Sequence, residues 1–519
     1  MNDLPAPDLP HTDERPTHVR YLVLAVLCSL AFLTYLDRIC IMRVQEDIAR
    51  DLGFDRLTEA NRRELESAAA VDYAPLLKKE DEEALRAAGA LDDPEARRAA
   101  AEKRLRANLV NERLGWVFFA FLLGYTLFEI PGGWLGDVWG PRIVIVRIVV
   151  WWSVFTALTG SADTVVGWFV TSPSPVLLVA ALVLVRFLFG LGEAGAYPNI
   201  SRSLARWFPY RERARAQGGI WMASRLGGAF SPLIIGLLIT GLQSVHRDLG
   251  WREAFFLLGG VGVVWAALFG VWFRNRPEEK PSVNAAERAL IRAQDAGAGS
   301  VYDDHHRGGI PWRRALLSAN LWAISVTAAA VSFSWYINVT FFPKYLKEKF
   351  GVSFENSELM SGLPLFVSAF FCLLGGGLSD VLVRWTGSKR WGRSLPGLIG
   401  FSAAGVAFLF IPQAINAWTA VALVCIACAL QDLAIPCIWS VCADVGGRYA
   451  GTLSGCMNAA GGVGAMLSPL VASRLANAFD WNVAFLVFAG SYFLGALMWL
   501  RIDATESIMT APADPSAHA

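Results

Sequence analysis

The chain has 519 residues and a formal net charge of +1, with 54% hydrophobic and 18% charged residues. Soluble proteins carry about 25% charged residues, so a string of water-soluble domains is excluded, and the absence of a basic excess excludes a nucleic-acid binder. A mean hydropathy of +0.41 with 20 Trp and 31 Phe belongs to a chain that lives in lipid.

Residues 1–20 are polar and Pro-rich and lack the charged-then-apolar plan of a signal peptide. They read as a disordered cytoplasmic tail. About 20 apolar residues cross a bilayer as a helix, and twelve such segments follow, centred near 31, 125, 152, 187, 228, 262, 331, 368, 403, 428, 462 and 491. Residues 21–273 hold the first six and 320–502 the last six. Residues 274–319 form a cytoplasmic central loop and 503–519 a second cytoplasmic tail. The expected fold class is an all-α membrane protein of twelve transmembrane helices in two six-helix halves. An insertion at 51–112, Ala-rich and of mixed charge (EEALRAAGALDDPEARRAAAEKRLRANL), falls outside the membrane and predicts one or two surface helices without site chemistry.

Orientation follows Lys and Arg in the short loops. Arg142, then Arg206 to Arg215, Arg274 and Arg276, Arg384 to Arg393, and Arg448 follow spans two, four, six, eight and ten. The loops after spans three and nine carry none. Both termini are therefore expected in the cytoplasm, with the protein in the cell (inner) membrane. GGWLGD (132–137) recurs as GGGLSD (375–380), and GAFSPL (228–233) as GAMLSPL (464–470), at offsets of about 240 residues. Transporters built from such repeats bind substrate at the interface of the halves, near the midplane.

The first span ends in Thr34-Tyr35-Leu36-Asp37-Arg38-Ile39, two charges inside an apolar run. Neighbours on a helix point about 100° apart and do not face each other, so each charge needs its own partner. In span four, Arg186 and Glu193 lie seven residues apart on one face. Arg186 is the natural partner of Asp37. Arg38 is then left to face a cavity, where its fork suits a carboxylate, with Tyr35 on the same side. The loop Gly133-Trp-Leu-Gly-Asp137-Val-Trp-Gly140-Pro-Arg142 reads as a latch between helices: Gly133 for close approach, Asp137 to cap the next helix, Arg142 for carboxylates or span-end carbonyls.

Arg225 sits inside span five, as a second ligand for a substrate carboxylate or as a partner of Glu129 or Glu193. Glu129 reads as an ion-pair partner for basic cytoplasmic helix ends. In span seven, SFSWYINVTFFPKYL offers Trp335, Tyr336 and above all Asn338 to a polyol, against simple interior packing. Asp432 stands near the repeat equivalent of Glu193 and reads as a protonation site or a cation's partner. Cys425-Ile-Ala-Cys428 has a metal or redox spacing, yet no second ligand pair accompanies it. All six His lie outside the spans, so coupled protons would be carried by carboxylates.

The loop at 133–142 resembles the signature loop of the major facilitator superfamily, and Gly376 to Asp380 stands where that superfamily repeats it. Tyr35-Leu-Asp37-Arg38, Ile130-Pro-Gly-Gly133, Arg186 with Glu193 and Pro198, Ser231-Pro232 and Gly455 with Asn458 resemble one branch, the anion:cation symporters, which includes bacterial hexuronate, galactonate and glucarate proton symporters. The resemblance implies proton coupling by Asp37 and Glu193, a substrate carboxylate on Arg38, and substrate hydroxyls on Asn458. Glu129, Arg225 and Asp432 depart from the commoner pattern of that branch. The function expected is import of a small organic anion, a sugar acid, by proton symport with alternating access. A different anion (phosphate, dicarboxylate or aromatic acid), sodium coupling, or a non-transporting membrane sensor using 51–112 are the alternatives. With no His cluster, metal spacing or nucleophile motif, an enzyme is disfavoured. No cofactor or metal is expected, and the partners are the anion, protons and the bilayer, around a monomer.

Overall fold

Proline and small polar residues mark where the helices start. The computed structural model follows those marks over residues 14–508, apart from 78, 248, 293–309, 353 and 480. Asp93 caps a helix that opens on Pro94, Ser174 one that opens on Pro175, and Ser318 and Asn416 cap two more through their side-chain oxygens. No strand occurs among the described residues. Most of the two tails, the middle of the central loop, and His11, His305, His306 and His518 lie outside the described residues.

The first six spans are Val19–Arg43, Pro94–Trp139, Pro141–Gly160, Pro175–Glu193 continued by Ala196–Trp207, Arg213–Val245 and Trp251–Trp272. The last six are Ala319–Thr340, Phe354–Thr386, Lys389–Phe410, Ala417–Asp432 continued by Ile435–Gly446, Ala450–Ala478 and Trp481–Trp499. Ten stretches among the described residues are long and apolar enough to cross a bilayer, and an eleventh forms where Ala319–Asn338 meets Phe342–Phe350 at a 44° bend. The stretch Ala417–Leu475 holds two spans, which part at Gly447, where φ is +52°.

Packing repeats between the halves. Span one packs on five, two on four and three on six; likewise seven packs on eleven, eight on ten and nine on twelve. The halves meet where span two lies on eleven and span five on eight. Val264, Leu268 and Val271 of span six and Leu127 and Val138 of span two stay exposed, as lipid-facing side chains do. The first and last spans and the central loop meet at one end of the bundle: Arg20 binds Glu287 and Glu212, and Asn320 binds the backbone of Asp503. We call this end the terminal face.

The insertion lies at the opposite, far face and has more structure than its sequence predicts. The short helix Gln45–Asp51 leads into it, helices Glu59–Ala68 and Lys79–Ala87 lie within it, and its last third, from Pro94, runs without a break into span two. Good helix formers fill that stretch and nothing between Pro94 and the membrane interrupts them. Leu65, Tyr73, Leu77, Leu85, Ala101 and Leu105 give the insertion a small core of its own. Asp51 ties it to the bundle by accepting from Trp251 and Arg252, and Arg252 also binds Asp163.

Candidate functional site

Spans four and ten break at equivalent places. Each first segment ends on an acidic residue, Glu193 and Asp432. Gly195, at φ +85°, lets span four resume. A helix C-terminus is the negative end of the helix dipole and disfavours a bare carboxylate. Each acid is met by an arginine from another helix.

Arg38 Nη2 donates to Glu193 Oε1 at 2.5 Å. This corrects the expected arrangement: Arg38 does not face an empty cavity, and Arg186 does not pair with Asp37. Arg186 Nε and Nη2 are buried without hydrogen-bond partners, and the guanidinium lies 4.4 Å from the Phe189 ring centroid and 5.5 Å from that of Phe121, so cation–π attraction adds to the longer-range pull of Asp37 and Glu193. Asp37 is held by the Thr156 hydroxyl at 2.6 Å, from span three. The seven-residue spacing fixed the face of Arg186 and Glu193 but not the height at which span one meets them. Arg38 is further wrapped by the rings of Tyr125, Tyr35 and Phe121, at 4.7, 5.2 and 5.2 Å. The second Glu193 oxygen, Oε2, is buried without a partner.

Arg225 has a different partner from those expected. Its Nε and Nη2 donate to both oxygens of Asp432, at 2.7 and 3.1 Å, across the interface between the halves. Asp432 also accepts from Gln431 at 3.1 Å and from the Cys372 thiol at 3.5 Å. The Trp335 ring lies 3.8 Å from the Arg225 guanidinium, and Nη1 reaches the Tyr35 hydroxyl at 3.3 Å. Tyr35 therefore stands between the two arginines, and Tyr336 is within electrostatic reach of both.

Asn458 Nδ2 donates to the Tyr125 hydroxyl at 2.9 Å, joining span eleven to span two. Asn338 donates to Cys428 Sγ at 3.4 Å, with its oxygen buried and unpartnered. All eight cysteines are free, and no group of His, Cys, Asp and Glu that could hold a metal occurs among the described residues. Glu129 makes no ion pair with a helix end: it is fully buried and neither carboxylate oxygen has a hydrogen-bond partner.

The signature loop closes the terminal face below these residues. A Cβ on Gly133 would lie 2.2 Å from the carbonyl oxygen of Gly451, so span two and span eleven touch backbone to backbone there. Asp137 does not cap span three, as its sequence position predicts. It caps span eleven, accepting from the N–H groups of Gly451 and Thr452 at 3.0 and 2.6 Å, and pairs with Arg202 at 2.6 Å. Gly140, at φ +84°, makes the turn into span three, and Arg142 donates to the Gly270 carbonyl at 2.8 Å. The repeat supplies a mirror latch: Asp380 accepts from the Arg215 N–H at 2.8 Å and pairs with Arg393 at 2.7 Å, while Asp444 holds Arg213 and Arg393 at 3.0 and 3.3 Å.

Tyr125, Thr156 and Arg202 escaped the sequence reading. Each is a common residue type in an apolar or basic run, and its partner lies on another span. The site thus holds two arginines, each paired with a carboxylate at a helix break, beside Arg186, and is lined by aromatic rings above the latch.

Over residues 27–469 the chain matches the family model described as Major Facilitator Superfamily. It is 31% identical over 401 residues to the probable sulfoacetate transporter SauU of Cupriavidus necator, covering 77% of this chain and 87% of that protein. It is 28% identical over 394 residues to the probable galactarate/D-glucarate transporter GudP of Bacillus subtilis, covering 74% and 82%. Among solved structures, the proton:xylose symporter XylE bound to 6-bromo-6-deoxy-D-glucose matches with a TM-score of 0.63 at 13% identity, over 94% of this chain and 98% of that one, a likeness of fold.

Proposed function

Because the chain belongs to the major facilitator superfamily, a family of transporters and not of enzymes, we propose that it imports a small organic anion, a sugar acid, together with protons by alternating access. The observation that carries this reading is Arg38, a half-buried guanidinium inside span one whose ion partner among the described residues is Glu193. Glu193 holds Arg38 through one oxygen only, whereas a guanidinium fork grips a carboxylate best through two, so a substrate carboxylate competes with Glu193 for it. A proton on Glu193 releases Arg38, and the substrate takes the vacated fork. Asp37, held by Thr156, is the second carboxylate assigned to proton coupling, and Arg186 is assigned to the structural support of this cluster. Tyr35, Asn338 and Asn458 are assigned to substrate hydroxyls. The names of SauU and GudP, both anion transporters, support the substrate class.

Loading takes place from the far face while the latch at Asp137 and Arg202 holds the terminal face shut. Rocking of the halves then opens the terminal face, which the Lys and Arg of its loops assign to the cytoplasm. Glu193 loses its proton there and returns to Arg38 as the anion leaves. The working unit is a monomer in the cell membrane.

The test is uptake of galactonate or a hexuronate by proteoliposomes under an imposed pH gradient. Accumulation that follows the gradient and fails in Glu193→Gln is expected. If uptake ignores the gradient, proton coupling is wrong; if none of these acids enters, the substrate class is wrong. Arg225 favours one variant of the substrate. Its bidentate grip on Asp432 makes it a second anion site, suited to an acid charged at both ends.

A further inference from the structure

Glu129 lies one turn along span two from Tyr125, with 0% of its surface exposed. Neither carboxylate oxygen meets a donor in hydrogen-bond geometry. The groups that face it are Tyr125 from its own helix, Asn458 from span eleven, the N–H of Gly195 at the break of span four and, more distantly, Arg38 of span one. Glu193 of span four lies beyond Tyr125. Arg38 is the cation among these, and Glu193 already matches its charge at 2.5 Å. Arg225 is likewise matched by Asp432. Arg186, the arginine of the cluster without a close ion pair, is not among the groups that face Glu129, and a bare carboxylate away from water is strongly disfavoured.

The place of Glu129 along the helix gives it a path for release. Gly133, one turn further, presses on Gly451, and a Cβ on Gly455 would lie 2.5 Å from the Glu129 carbonyl oxygen. Glu129 thus sits on the side of span two that meets span eleven. Asp137, about 12 Å further along the helix at 1.5 Å per residue, closes the same seam by capping span eleven. Among the acidic residues of span two, Glu129 is the first behind the seal. When span two parts from span eleven, water from the terminal side reaches it before it reaches Arg38.

We propose that Glu129 is a third proton carrier, protonated while the loaded transporter is latched and discharged to the terminal side when the latch opens. The carboxyl O–H bond breaks, the proton passes to water in the opened vestibule, and the carboxylate left behind is hydrated there. After the seam closes, the carboxylate regains its proton from the far side by way of Tyr125, which Asn458 holds in place: the phenol O–H gives its proton to the carboxylate and the phenolate takes one from protonated water on the far side. The proposal rests on the proton-symport reading above.

The experiment measures the proton-to-substrate ratio from reversal potentials in proteoliposomes, with galactarate and galactonate as substrates, for the wild type, Glu129→Gln and Glu129→Asp. The expected result is a ratio lower by one proton in Glu129→Gln and restored in Glu129→Asp. Infrared spectra of protein labelled with 13C-glutamate supply a readout that a structural role would not move: a protonated carboxyl band in the substrate-bound wild type that loses the Glu129 share, and keeps that of Glu193, in Glu129→Gln. An unchanged ratio with an unchanged band overturns the proposal and leaves proton symport standing. A wild type that moves substrate without protons overturns both. If Glu129→Gln does not fold, the wild-type infrared band compared with that of Glu129→Asp, whose aspartate carries no label, decides: an equal 13C-carboxyl band in the two overturns the proposal.

Discussion

The two midplane arginines differ in where their partners stand. Arg38 and Glu193 belong to the same half, spans one and four, so a rocking motion carries them together. Arg225 and Asp432 belong to opposite halves, spans five and ten, so a rocking of the halves would strain their pair. A pair within a rigid half is broken by chemistry, by a proton or by a competing anion. A pair across the seam is broken by movement, and its arginine then needs a new anion. The first is suited to coupling and the second to sensing whether substrate is present.

The largest effect that tests this contrast is at Asp432. Asp432→Ala leaves Arg225 buried without its carboxylate, which costs about 3–5 kcal/mol, read as a lowered unfolding temperature of the purified protein. Replacing both, Arg225→Met with Asp432→Leu, should recover most of that loss while uptake of doubly charged acids stays poor. Recovery of such uptake in the double variant would break the contrast. A smaller effect is expected at Arg38→Lys, which keeps the charge and loses the fork. Uptake of a sugar acid should fall in kcat/KM by about ten-fold, or ~1.4 kcal/mol, with the stability little changed; an equal fall in stability would make Arg38 a structural residue.

The smallest effect lies outside the membrane. Burial pushes the Glu287 carboxyl up, but donation from Thr17, the N–H groups of Arg20 and Val19, and the Arg20 guanidinium outweighs it and holds the group below the usual carboxylate range. A group so lowered adds stability above the ordinary Glu value of about 4.3, and that contribution is lost as pH falls through its folded value. Glu287→Gln should flatten the acid limb of the stability curve and leave the pH dependence of uptake alone. A shift in the uptake profile would tie the central loop to the cycle.

The twelve spans, the two halves and the seam were legible from apolar length, loop charge and the repeat, because each of these is a property of consecutive residues. So was the presence of Asp37, Arg38, Glu193, Arg225 and Asp432 inside the spans, since a charge inside an apolar run stands out. Their pairing was not legible. Glu193 and Asp432 end helices at equivalent breaks, and which arginine reaches each depends on the vertical offset between spans, which no spacing within one span encodes. Asp137 shows the same limit. Its sequence neighbours point to span three, but it is drawn to span eleven, whose first N–H groups are exposed at the seam.

The helix Pro94–Trp139 has 46 residues, about 69 Å at 1.5 Å per residue, whereas a bilayer core takes about 30 Å. The surplus is a lever arm outside the membrane, rooted in the half that carries Arg38. Any tilt of that half is magnified at the insertion, far from the transported anion. A spin label or a fluorophore placed there reads the angle of the half directly, and a rigid binder clamped between the insertion and the bilayer surface stops the cycle without touching the site.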